Sequence, residues 1–175
     1  MAIQFPADPT AIDPVDILRW LSDFHHADKT CLTEVINHLR QFKGHSTDYE
    51  FEKEVSSIIQ RIFNNKCPMQ YFYPVRAYLN TFLDKPLYLS GDGSSEKQAV
   101  RINTTSTPLL SRAKFGYLNG RFGKEEEAWR LVKRWQKPGE TEFDQVECFE
   151  VALADGKSMQ IWFDVSTYYR GVCGV

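Results

Sequence analysis

Residues 149–165 read FEVALADGKSMQIWFDV. Large apolar residues occupy every second position on both sides of the Asp155-Gly156 pair. They are Phe149, Val151 and Leu153 before the pair, and Met159, Ile161, Phe163 and Val165 after it. A period of two indicates a half-buried strand, and Asp-Gly is typical of a two-residue hairpin turn. The stretch therefore predicts an antiparallel β-hairpin.

Similar turn signals recur upstream as far as Pro86. Asp92-Gly93, Asn119-Gly120 and Pro138-Gly139 each lie between runs rich in β-branched and aromatic residues. The loop from Ser90 to Glu96 is interpreted as a hairpin tip, and Asn119-Gly120 as a type I′ turn. These signals predict an antiparallel β lobe over residues 85–175.

One segment of that lobe, residues 124–137, fits two patterns. It begins with acidic residues and ends with basic ones, as a helix does. It also alternates through Trp129, Leu131, Lys133 and Trp135, as a strand does. Because it lies between two hairpin signals, the strand is favoured.

The N-terminal part of the chain has a helical period instead. After an extended leader over residues 1–12, Asp13 can cap a helix and Pro14 suits its first position. Apolar residues at a spacing of three and four predict further helices over 30–42 and 47–62, and another that begins at Pro74. We therefore expect a helical lobe over residues 13–84.

These patterns together predict an α+β fold. We expect an N-terminal bundle of about four helices packed against a C-terminal antiparallel β-meander or partly open barrel, as one compact unit. The 175 residues are 42% hydrophobic and 25% charged, which is typical of an ordinary globular chain. This composition excludes a disordered chain and a collagen-like one, and no run is long enough for a membrane span.

The cysteines and the N-terminus bear on the compartment. Cys31, Cys67, Cys148 and Cys173 form no CxxC pair, and the first residues lack the basic and apolar regions of a signal peptide. We expect four free thiols in a cytoplasmic protein that does not contact a membrane.

Candidate catalytic and metal-ligating residues do not form a recognised pattern. His25, His26, His38 and His45 lie within 21 residues but lack a metal-ligand spacing. Cys31 near a histidine is the formal candidate for a nucleophile. Carboxylate pairs could come from Asp144, Glu147, Glu150 and Asp164, which are expected on the wet face of strands. We predict no metal and no cofactor, and no catalytic residue can be assigned.

A basic block is the best indication of function. Residues 101–137 carry nine Lys or Arg against three Asp or Glu, between two acidic segments. Phe115, Tyr117, Phe122, Trp129 and Trp135 are interleaved with the basic residues. Cations grip phosphates and aromatic rings stack on bases, so this pattern allows nucleic-acid binding. The candidate contacts are Arg112, Lys114, Arg121, Arg130, Lys133 and Arg134.

The same features allow another interpretation, which we favour. Aromatic residues in a sheet are usually core, and flanking acidic segments can neutralise a basic block once the chain folds. We therefore expect a non-catalytic protein whose partner is another protein. Nucleic-acid binding through residues 112–137 is the alternative, and a small hydrolase or metal-dependent enzyme is the second alternative.

Overall fold

The computed structural model of the chain describes residues 5–17, 19, 37, 41, 52–57, 60, 72–80 and 85–174. Its main elements, in chain order, are α1 (Phe72–Asn80), β1 (Val100–Arg101), α2 (Thr107–Phe122), β2 (Trp129–Pro138), β3 (Gln145–Leu153), β4 (Ser158–Asp164) and α3 (Ser166–Cys173). Short 3-10 helices lie at Pro9–Ala11 and Glu96–Gln98. Residues 14–17 and 52–57 are also helical.

The predicted hairpin is confirmed. Strands β3 and β4 pair antiparallel, with Phe149 opposite Ile161 and Val151 opposite Met159. The Gly156 N–H donates to the Leu153 carbonyl at 2.9 Å and closes the turn. Phe149 and Ile161 are buried, as the period of two requires.

The segment with two patterns is a strand, as favoured. Strand β2 pairs antiparallel with β3 along its whole length, and the register shifts between Leu131 and Lys133. This shift is a β-bulge, in which Val132 is the extra residue on β2. Because of the bulge, Trp129 and Leu131 lie on the opposite face of the sheet from Lys133 and Trp135.

The predicted arrangement of the fold is wrong. The sheet has the order β1-β4-β3-β2, and it is mixed because β1 runs parallel to β4, with Val100 opposite Phe163. Among the described residues, three helices have seven residues or more, and two of them lie in the half predicted to be antiparallel β. The broad class α+β holds, but an N-terminal four-helix bundle on an antiparallel meander or partly open barrel does not.

Helix α2 shows why the turn signal at Asn119-Gly120 was wrong. This glycine and Gly116 lie one helical turn apart on α2 and contact α1. A Cβ on Gly116 would lie 2.5 Å from Cδ1 of Phe72, and one on Gly120 would lie 2.8 Å from Cδ1 of Tyr73. Glycine is needed there for close approach of two helices and not for a turn.

The main core lies between α2 and one face of the sheet. Phe115 contacts Phe149 with ring centroids 5.8 Å apart, and Tyr117 contacts Phe163 at 5.6 Å. Trp129 is 2% exposed, and its indole N–H donates to the Gly123 carbonyl at 2.9 Å. We call this side of the sheet the covered face.

Three buried tyrosines, Tyr73, Tyr88 and Tyr117, join α1 and the N-terminal segment to this core. The ring of Tyr73 contacts those of Tyr88 and Tyr117 edge to face, at 5.3 and 4.8 Å. The Tyr117 hydroxyl donates to the Ala7 carbonyl at 2.7 Å, and its oxygen lies 3.0 Å from the Asp92 carbonyl oxygen. Chain segments far apart in sequence are thus fixed by hydrogen bonds as well as by packing.

Other local predictions can be compared with the described residues. The Val15 N–H donates to Oδ1 of Asp13 at 2.8 Å, which confirms the predicted cap. Residues 87–90 bond to residues 101–103 through backbone groups, so the loop between them is a hairpin connection as interpreted. Of the predicted helices over 30–42 and 47–62, most residues lie outside the described ones.

Candidate functional site

The side of the sheet opposite α2 carries an ordered set of polar and aromatic side chains, which we call the open face. The strand register arranges them in cross-strand rows. The rows are Arg130, Ala152 and Ser158; Lys133, Glu150 and Gln160; Trp135, Cys148 and Trp162; and Lys137, Val146 and Asp164. Arg101 on β1 extends the last row beside Asp164.

The middle of the open face is apolar. Trp135 and Trp162 pack edge to face with ring centroids 6.1 Å apart, on either side of Cys148. Cys148 is fully buried, and Trp162 is 9% exposed. Together with Val146 they form a small cluster separate from the main core. A half-buried Trp135 at the rim of this cluster leaves part of its ring accessible.

Two lysines lie over these rings. The Lys133 ammonium is 5.5 Å from the centroid of Trp135, and the Lys137 ammonium is 5.3 Å from that of Trp162. Both lysines are exposed. A cation over an indole ring is a favourable contact, and it keeps the charge at a defined place on the surface.

The ion pairs of the open face leave part of its positive charge uncompensated. Arg101 Nε donates to Asp164 at 3.1 Å, and Lys137 lies 3.4 Å from Glu96. Within the described part of the chain, neither Arg130 nor Lys133 has an ion-pair partner. Glu150 lies opposite Lys133, so the rows of Arg130 and Lys133 carry two cations and one carboxylate beside the apolar centre.

The structure separates the six candidate contacts of the basic block. Arg130 and Lys133 lie together on the open face. Arg134 is exposed but pairs with Phe149, so it projects from the other side of β2. Arg112 is exposed on α2 and lines a groove of about 530 Å³ with Pro108 and Phe115.

The remaining two candidates, Lys114 and Arg121, form contacts within the protein. Lys114 is 6% exposed and forms a buried ion pair with Glu147, which also accepts from Gln136 at 2.7 Å. Arg121 donates to the Asp92 carbonyl at 3.3 Å and to the Tyr117 hydroxyl at 3.1 Å. Their hydrogen-bonding groups are directed to the protein itself.

A polar cleft of about 990 Å³ adjoins the open face at the row that contains Val146 and Asp164. Arg101 and Arg170 line it, and each donates to a carboxylate that also lines it, Asp164 and Asp144 respectively. The hydrogen bonds from Arg170 and Thr141 hold the pKa of Asp144 below its ordinary value. These four charges form two ion pairs, and the carboxylates that line the cleft outnumber its cations by five to three.

The candidate nucleophiles and metal ligands do not assemble in the described residues. Cys148 and Cys173 are free thiols, and burial together with the Glu150 charge raises the pKa of Cys148 to about 11. A thiol with a raised pKa is a poor nucleophile at neutral pH. Cys31, Cys67 and all four histidines lie outside the described residues, and no group of three metal-ligating side chains occurs within them.

The described helices also bear on the membrane prediction. None of them has both the length and the apolar character needed to cross a bilayer. The predicted cytoplasmic location stays a prediction.

Sequence reasoning missed Trp162 and Arg101 as members of the surface. Trp162 was missed because the apolar alternation of its strand runs through Ile161 and Phe163, which are core residues. Trp162 lies between them and points to the opposite face. The signal that could have revealed it is an aromatic residue at an outward position of a hairpin. Arg101 is part of the basic block, but its position beside Asp164 could not have been predicted, because the two residues are 63 apart in the chain.

Comparison with known proteins gives one short similarity. A portion of 60 residues, 34% of the chain, is 38% identical to part of the serine/threonine-protein kinase AKL1 of Saccharomyces cerevisiae. The match spans 5% of that kinase, so it does not assign this chain to a family. No protein-family model matches the chain, and no solved structure matches it.

Proposed function

We propose that this protein acts by binding a partner protein through the open face of its sheet. The supporting observation is the arrangement of that face, in which an apolar centre of Trp135, Cys148 and Trp162 is bordered by cations. Protein interfaces have an apolar centre and a polar rim, and Trp and Arg are enriched among their strongest contacts. The partner would present apolar groups surrounded by carboxylates.

The charge balance favours an acidic partner. Arg130 and Lys133 are exposed. The four cations of the open face, Arg101, Arg130, Lys133 and Lys137, outnumber its two carboxylates, Glu150 and Asp164. A complementary negative surface would speed association and fix its orientation. The cations at the rim would thus select the partner, and the half-buried Trp135, with the small exposed part of Trp162, would supply the apolar contact.

Charge reversal on the open face tests this proposal. We would compare the double variant Arg130→Glu, Lys133→Glu with the control Arg112→Glu, Lys124→Glu, which changes the net charge equally on the α2 side of the molecule. Each tagged protein would be used for affinity capture followed by quantitative mass spectrometry and direct binding of the purified partner. We expect a partner that the control retains and the open-face variant loses. Identical partner sets for the two variants would contradict the proposal.

A second candidate function is binding of single-stranded nucleic acid. It is favoured by the two lysines that lie over Trp135 and Trp162, since cations and indole rings are the groups that grip such strands. An oligothymidylate titration at increasing salt tests it. Affinity that falls steeply with salt and is lost in Trp135→Ala would establish this second function in place of the first.

A further inference from the structure

Strand β2 is the end strand of the sheet. The order β1-β4-β3-β2 leaves its outer edge without a strand partner among the described residues. Seven of its ten residues are exposed, and Val132 at the bulge is 54% exposed. An end strand carries backbone N–H and C=O groups that another extended chain can pair with.

The side chains of β2 have a single sign of charge. Its cations are Arg130, Lys133, Arg134 and Lys137, and it contains no Asp or Glu. Like charges opposite one another destabilise a strand pair, whereas opposite charges stabilise it. A second copy of β2 is therefore a poor partner for this edge, and an acidic strand is a good one.

The bulge limits where a strand could dock. Pairing with β3 is regular from Lys133 to Pro138 and irregular before it, at Val132. A bulge bends the strand and interrupts its edge, and a proline has no N–H to donate. The usable edge therefore runs from Lys133 to Lys137, where cations project from both sides of the strand.

We propose that an extended acidic segment of the partner adds to the sheet as a strand along Lys133–Lys137. This inference rests on the proposed function and gives its binding mode. The backbone of the segment would pair with the edge of β2, and its carboxylates would face Lys133 and Lys137 on one side and Arg134 on the other.

Two peptides of equal charge test the binding mode. The probe is the acetylated and amidated decapeptide (Thr-Glu-Glu)3-Thr, which presents carboxylates on both sides of an extended strand. Its control has every backbone amide N-methylated, which keeps the carboxylates and removes the donors. Both would be titrated into the ¹⁵N-labelled full chain at low salt, with amide exchange of β2 measured at saturation. We expect the control to bind at least about tenfold more weakly, because the net gain from its hydrogen bonds is lost. We also expect the probe alone to slow exchange along Lys133–Lys137.

The outcomes distinguish the two proposals. If both peptides bind within twofold of each other and shift the open face, strand addition is wrong and recognition of an acidic partner stands. If neither peptide shifts β2 or the open face, both proposals are wrong. If a ten-residue oligothymidylate shifts the face while the peptides do not, both are replaced by nucleic-acid binding. The variant Lys133→Glu, Arg134→Glu should lose the probe, whereas Arg112→Glu, Lys124→Glu should keep it.

Discussion

The two faces of the sheet combine lysine and aromatic side chains in different surroundings. On the covered face, Lys114 lies 5.4 Å from the ring of Phe149 and is neutralised by the buried Glu147. On the open face, Lys133 lies 5.5 Å from the ring of Trp135 and remains in solvent. The same contact thus fixes a helix to the sheet on one face and leaves an exposed charge on the other. Burial, and not residue type, decides the role.

Truncating one tryptophan on each face should show the largest contrast. Trp129→Ala removes a fully packed indole and its hydrogen bond, and we expect a loss of about 3 to 5 kcal/mol in the free energy of unfolding. Trp135→Ala removes a half-buried ring and should cost about 1 to 2 kcal/mol. Urea denaturation measures both. Equal losses in the free energy of unfolding would mean that Trp135 is packed as tightly as Trp129.

Breaking an ion pair should also cost more stability on the covered face than on the open face. Lys114→Met leaves the buried Glu147 carboxylate without its cation, and we expect a loss of about 3 kcal/mol. Lys137→Met breaks an exposed pair with Glu96 and should cost less than about 1 kcal/mol. Thermal and urea unfolding of the two variants provide the comparison. A tolerated Lys114→Met would show that Gln136 alone satisfies the Glu147 carboxylate.

Alkaline pH should lower the free energy of unfolding through the buried tyrosines on the covered side of the sheet. Burial raises the pKa of Tyr117 to about 12 and raises those of Tyr73 and Tyr88 in the same direction. The folded state favours the neutral phenol. The stabilisation that this gives to the folded state is complete below about pH 10 and is lost as pH rises through about 12. For Tyr117 this contribution is about 2 to 3 kcal/mol. Urea midpoints across this range measure it, and Tyr117→Phe should show a shallower decline.

The smallest effect is expected in the alkylation rates of the two described cysteines. Cys173 is exposed, whereas Cys148 is buried beneath the open face and has a raised pKa. We expect alkylation of Cys148 in the native protein to be at least about tenfold slower than that of Cys173. Peptide mapping by mass spectrometry follows each thiol separately. Equal rates would show that the cluster of Trp135 and Trp162 opens readily.

Local patterns predicted those parts of the fold that local contacts determine. The β3-β4 hairpin and the strand character of residues 129–138 followed from a period of two, because each has one face in the main core. Helix α2 was missed because it lies between α1 and the sheet and is buried on several sides, so it has no simple apolar stripe. Its glycines resemble turn residues in sequence, and only the position of Phe72 and Tyr73 reveals their purpose.

The candidate site was predictable only in part, for a similar reason. The basic block identified Arg130 and Lys133, but the bulge at Val132 decides that these two share a face. Lys114 looked equivalent in the sequence, yet its partner Glu147 is 33 residues away. Cross-strand register and burial are set by the whole fold, so they could not be obtained from the block itself.

The parallel pairing of β1 with β4 also has a consequence for the order of folding. The β2-β3-β4 hairpins join neighbours in the chain, whereas β1 must wait for a partner beyond α2, β2 and β3. Closing a long loop costs entropy before any contact is gained. We therefore expect the three antiparallel strands to assemble early and β1 to dock last. Pulse-labelled hydrogen exchange during refolding should protect the amide of Phe149 before that of Val100, and the same edge should be the first to open in the native state.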